Sequence, residues 1–138
     1  MNKNAVTIEI ARPVEVVFEF TVDPTNTPKW IESIVVERRS DKVVAVGTTY
    51  ANVSKGKSRE TIYEVIAYEP NRLFQLRRVG SDYVCTYIFE AINQGYATKL
   101  TYTEEVGSDQ KLVDPLGAET FENLKAILES GDSSNNKK

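Results

Sequence analysis

The stretch "IEIARPVEVVFEFTVDPTNTPKW", Ile8 to Trp30, decides how this chain folds. Its first residues continue the run AVTIEIA, Ala5 to Ala11, which alternates and is β-branched, the pattern of a half-buried strand. Pro13 then follows Arg12, and proline is tolerated in the first turn of a helix, where no N–H is required. In VEVVFEF, Val14, Val17 and Phe18 fall at helical spacing, with Glu15 and Glu19 on the other side. The residue before a proline is pushed out of the α region, so this helix should stop near Asp23-Pro24. Thr27 can cap a second short helix with Pro28 at its first position, and Trp30, Ile31 and Ile34 then share a face. Two short helices joined by a stiff bend fix where the only tryptophan points.

Beyond Ser33 the chain reads as strands separated by turn signals. SIVVERR and TTYANV flank SDKVVAVG, SRETIYEVIAY runs to the turn Glu69-Pro70-Asn71, and RLFQLRRV follows. Gly80-Ser81-Asp82 leads into YVCTYIFEAI, and Asn93-Gln94-Gly95 into YATKLTYTEEV. Short strands at regular spacing predict one antiparallel meander, about seven strands with the N-terminal one included. The last element is helical: Asp114 can cap, Pro115 fits the first turn, and Leu116, Thr120, Leu124, Ile127 and Leu128 form one face with Phe121 beside it. Gly131 is a plausible stop, and the polar tail 131–138 is expected to be disordered, leaving one domain over residues 1–130.

Composition excludes several kinds of chemistry. The net charge of −3 leaves no basic footprint for nucleic acid. No apolar run reaches the length of a membrane span and the N-terminus lacks a signal peptide's apolar core, so the expected compartment is the cytoplasm. With no histidine, the commonest general base and every His metal site are gone. The single cysteine, Cys85, sits in a strand pattern and reads as a small buried hydrophobe; alone it makes neither a disulfide nor a thiolate zinc site. No metal or cofactor is expected, and any catalysis must use carboxylates, tyrosines, lysines, arginines or an external cofactor.

The order strand, two short helices, long meander and C-terminal amphipathic helix resembles a known family. "IEIARPVEVVFEFTVDPTNTPKW" is similar to the opening signature of the START-like, polyketide cyclase/dehydrase (SRPBCC) superfamily, which shares the fold of the birch-pollen allergen. "YEVIAYEPNRLFQL" resembles its strand-turn-strand middle, "YIFEAINQGYATKLTYTEEV" its later hairpin and "FENLKAILES" its final helix. The resemblance implies an α+β helix-grip fold: a curved seven-stranded antiparallel sheet wrapped around a long C-terminal helix, with two short helices after the first strand. It also implies a cavity between sheet and helix, open near the short helices, with Trp30 at or near the mouth.

Strand parity nominates the lining, because alternate residues face opposite sides. Glu60 and Glu64 outward turn Thr61, Tyr63 and Val65 inward; Glu90 outward turns Cys85, Tyr87 and Phe89 inward. Lys99 outward leaves Leu100 and Tyr102 inward, and the apolar set of RLFQLRRV, Phe74 and Leu76, carries Arg78 with it. Trp30, Phe121 and Leu124 complete the candidate binding set from the helices. A one-residue bulge would reverse any of these assignments. The lining is apolar and aromatic with a few polar tips, the usual composition of a small-molecule pocket. A dry void of about 300 Å³ extrapolates to roughly 7 kcal/mol, comparable with a domain's whole stability of about 5–15 kcal/mol, so the space should be small, wet or filled.

The favoured function is therefore binding of a hydrophobic small molecule such as a lipid, isoprenoid or aromatic metabolite, as carrier or sensor. The alternative implied by the family is a cyclase/dehydratase enzyme using Tyr63, Tyr87 and Tyr102 as donors, Arg59 or Arg78 as anchor for an enolate, and a buried carboxylate. No carboxylate reads as interior: Glu104 and Glu105 lie near a strand end, which favours exposure, and Glu37-Arg38-Arg39 and Arg77-Arg78 read as solvated strand faces. A protein-interaction module is a further alternative, and monomer and homodimer both stay open.

Overall fold

A computed structural model describes residues 2–130. The expected stop at Gly131 and the tail 131–138 lie outside the described residues. Strand β1 (Lys3–Ile10) is followed by helices α1 (Val14–Val22) and α2 (Thr27–Trp30). The meander comprises β2 (Ile34–Arg39), β3 (Thr49–Ser54), β4 (Thr61–Glu69), β5 (Leu73–Arg78), β6 (Val84–Ile92) and β7 (Ala97–Glu105), and α3 (Ala118–Glu129) closes the described chain. All seven strands form one antiparallel sheet in the order β1-β7-β6-β5-β4-β3-β2, so the meander is consecutive and β1 joins at the far side. This is the helix-grip fold. Among the described residues no helix is long and apolar enough to cross a membrane.

The prolines sit one place off the expected positions: Pro13 stands just before α1 as its N-cap, and Pro28 is the second residue of α2. Pro13 is extended, and its carbonyl accepts the amides of Val16 and Val17, starting α1 without a side-chain cap. Val17, Phe18, Thr21 and Val22 are its buried face. Thr27 differs from expectation: it is the first helical residue of α2 rather than its cap. Where an N-cap hydroxyl would accept a backbone N–H, this one donates to the Glu37 carboxylate (2.6 Å). Because α2 is a single turn, Ile34 begins β2 rather than sharing a helical face with Trp30.

The start of α3 is also shifted, from Pro115 to Ala118, with Gly117 as N-cap. Leu116 explains the delay. Its N–H donates to Glu104 Oε2 (2.7 Å), and its carbonyl accepts from Asn4 Nδ2 (2.7 Å). Its carbonyl, which would otherwise accept the first intrahelical amide, is taken by Asn4, so the helix starts beyond it. Phe121, Leu124 and Leu128 are the buried stripe of α3. The helix packs on β1 and α2, while α1 packs on β6 and β7.

Candidate functional site

Residues directly opposite on neighbouring strands share a face, so register sorts the concave side into rows. The first row runs Arg39, Tyr50, Tyr63 and Arg78, and Tyr83 continues it, its carbonyl accepting the Arg78 amide. Val65, Leu76, Cys85, Glu104 and Asn4 form the next, and Tyr68, Phe74, Tyr87, Tyr102 and Val6 the one after. Phe89, Leu100 and Ile8 lie beyond it. Glu37, Asn52 and Thr61 form a short row on the other side of the first. All the strand residues nominated from sequence stand on this inner face.

The rows grade from apolar to polar. At the apolar end Phe89 meets Phe18 of α1, ring centroids 4.9 Å apart. Across the middle, rings link sheet to helix: Tyr87 to Tyr102 and Tyr102 to Phe121 at 4.9 Å each, then Phe121 to Trp30 at 5.4 Å. Trp30 is only 2% exposed, so it is an interior wall rather than a rim residue. Its Nε1 meets no protein acceptor. Over β4 and β5 the inner side chains are less covered: Thr61, Tyr63, Tyr68 and Arg78 point inward yet keep accessible surface.

The polar end holds two carboxylates that sequence reasoning placed in water. Glu104 is 3% exposed and accepts from the Tyr83 hydroxyl (2.6 Å), Asn4 Nδ2 (2.8 Å) and the Leu116 amide. The parity that turned Leu100 and Tyr102 inward continues to Glu104; the strand end is covered by the segment leading to α3. Glu37 also points inward, accepting from Thr27 and from Asn52 Nδ2 (3.2 Å). Burial raises its pKa, and those two hydrogen bonds offset only part of the shift. Its neighbour Arg39 is likewise not a solvated charge: its guanidinium donates to the carbonyls of Asp41, Lys42 and Val22 and ties down the loop after β2. Arg38 alone of that run is outward, paired with Glu60.

Arg78 also departs from the solvated reading. Nη2 donates to the Tyr63 hydroxyl (3.2 Å), and the guanidinium carbon stands 4.3 Å from the Tyr83 ring centroid and 5.5 Å from that of Tyr63. Its Nε is buried and meets no protein acceptor. Burial raises the pKa of Tyr63, with Arg78 partly offsetting it, and burial holds Tyr87 and Tyr102 well above the ordinary phenol value. The Cys85 thiol, buried as expected, is pushed up to about 12 by desolvation and by the Glu104 charge. Among the described residues no cluster could hold a metal ion. A depression of about 340 Å³ lies against Lys3, Asn4, Ala5, Thr103, Glu104 and Glu105. By strand parity Lys3, Ala5, Thr103 and Glu105 belong to the outer face, so this depression opens chiefly there, at the strand ends, although Asn4 and Glu104 of the inner row also line it.

The family model described as "Polyketide cyclase / dehydrase and lipid transport" matches residues 1–131. None of the curated proteins matches the chain. Among solved structures, the chain resembles the Aha1 dimer from Colwellia psychrerythraea, with a TM-score of 0.71 and 18% identity over 96% of this chain and 100% of that one. A Staphylococcus saprophyticus protein gives a TM-score of 0.69 at 22% identity, covering 94% and 93% of the two chains. Ara h 8.0201 gives 0.62 at 18%, covering 94% and 98%. At these identities the likenesses establish the fold.

Proposed function

Since the chain belongs to the polyketide cyclase / dehydrase and lipid transport family, we propose that it binds a hydrophobic small molecule on the concave side of its sheet, as a carrier or sensor. The observation that carries this reading is the uneven cover of that side. The helices pack over β1, β2, β6 and β7, whereas inward-facing Thr61, Tyr63, Tyr68 and Arg78 keep accessible surface over β4 and β5. Apolar floor residues Val65, Phe74 and Leu76 lie buried beneath them, so a guest would reach this floor by displacing the side chains above it. A guest would rest on this floor with its apolar body toward the ring chain of Tyr87, Tyr102 and Phe121, and with polar atoms toward the tyrosine and arginine tips. Native mass spectrometry of freshly purified protein tests this directly. A co-purifying small molecule is expected, and a bare chain that no apolar compound stabilises in a broad thermal-shift screen would overturn the reading.

One observation favours a second reading, a cyclase/dehydratase-type enzyme. Glu37 supplies the interior carboxylate such chemistry requires, and its raised pKa brings it nearer the range in which an acid can also serve as a base. Tyr63 lies on the same face as a hydroxyl donor, hydrogen-bonded to Arg78. A dehydratase would release a bound guest lighter by one water, and Glu37→Gln would return it unchanged in mass.

A further inference from the structure

We propose that the guest is an apolar molecule bearing one carboxylate, and that Arg78 receives that carboxylate at the polar end of the concave face; this rests on the binding reading above. Among the described residues no carboxylate lies within ion-pair distance of Arg78. Its cation is held by neutral groups alone, the Tyr63 hydroxyl at 3.2 Å and the faces of Tyr83 and Tyr63. The two interior acids are committed elsewhere: Glu104 to Tyr83, Asn4 and Leu116, and Glu37 to Thr27 and Asn52. A half-buried guanidinium on an inward row, without a counter-ion, still has fork geometry to offer an anion.

Nε gives the direction. It is buried and meets no protein acceptor, while Nη2 on the other limb of the fork is engaged by Tyr63. An unmade hydrogen bond to a buried charged donor is costly, and a carboxylate oxygen is the strongest acceptor a small metabolite can bring to it. The position suits an amphipath. Leu76 and Val65 lie in the next row inward and Phe74 and Tyr87 beyond them, so an apolar tail would run from Arg78 toward the ring chain. The Tyr63 and Tyr83 rings beside the guanidinium, set edge to face, hold it in place, which lowers the entropy lost when the anion docks.

The test uses cis-parinaric acid and its methyl ester, fluorescent probes with the same tail that differ in the charge of the head. Both are titrated into the full chain at one neutral pH. The acid is expected to bind at least about tenfold more tightly than the ester. Arg78→Gln should collapse the acid-over-ester preference to about one within that variant, whatever the ester's own affinity becomes, and Arg78→Lys, which keeps the charge without the fork, should retain an intermediate preference. Thermal melts of each variant establish that it is folded. Ester binding with no preference for the acid, or a preference that survives Arg78→Gln, would overturn the carboxylate assignment and leave the binding reading standing. Failure of both probes to bind the wild-type chain would overturn both.

Discussion

Glu37 carries a charge that its surroundings disfavour. Desolvation between α2 and β3 raises its pKa above the usual 4.5, although Thr27 and Asn52 both donate to it. A carboxyl whose folded-state pKa is raised binds more protons in the folded than in the unfolded chain, so its contribution falls as the pH climbs from about 4.5 through the folded value. Glu37→Gln should abolish that loss. The melting temperature of the variant relative to wild type is expected to rise between about pH 4 and about pH 7, and a difference independent of pH would refute the assignment. Cys85 makes the opposite case, a group kept inert. At 5% exposure, with its thiol pushed up to about 12, it should resist iodoacetamide in the native chain and react fully in denaturant. Intact mass reads the result, since the chain has one cysteine. Rapid labelling of the native protein would mean that the β6 row opens far more readily than its burial indicates.

The segment between β7 and α3 depends on Glu104. That carboxylate binds a sheet hydroxyl, a β1 amide and the Leu116 backbone together, so Glu104→Ala strands three donors. The Tyr83 bond is buried and the Asn4 and Leu116 bonds part-buried, so at about 1–3 kcal/mol for a buried donor left unmade the variant should lose about 2–3 kcal/mol in urea unfolding. Glu104→Gln keeps one acceptor oxygen and should lose less. The Leu116 amide should exchange with solvent much faster in both variants than in wild type, and unchanged protection would show that the segment is held by other contacts. The order of elements was legible in the sequence because proline positions and strand alternation are local signals. What escaped was set by contacts distant in sequence. Glu104 follows Leu100 and Tyr102 in parity, and only the returning segment, tied through Leu116, makes a strand end an interior. Tyr68 escaped for a second reason: a register shift between Val65 and Ala67 restarts the alternation, so Tyr68 rather than Ala67 faces Phe74 across the inner side. Thr61, Tyr63 and Val65 precede the shift and kept their expected face.

For the whole molecule, the question is how a well-filled interior accommodates a guest. Rings span the middle from Tyr87 through Tyr102 and Phe121 to Trp30, with centroids no more than 5.4 Å apart. This satisfies the argument that a large dry void is too costly to keep. On the binding reading proposed above, a guest would add apolar contact along the β4–β5 floor and shift the rings beside it. Any compound that binds the folded chain alone stabilises it by about 2.7 kcal/mol at a hundred times its Kd. In a domain of this size that corresponds to a rise of roughly 8 °C in Tm. Trp30 offers an independent readout, because its indole packs on Phe121 and its Nε1 has no protein acceptor, so its emission is set by how those rings lie. Saturation with methyl oleate, which does not absorb tryptophan emission, should shift Trp30 emission together with the Tm, and the two titrations should give one Kd. Stabilisation without any change in tryptophan emission would place the guest away from the ring chain, for instance in the depression beside Lys3 and Glu105 on the outer face. Phe121→Leu sharpens the distinction. Removing the ring that couples Trp30 to Tyr102 should weaken the emission response while the folded chain still binds, whereas a guest on the outer face would leave both readouts unaffected.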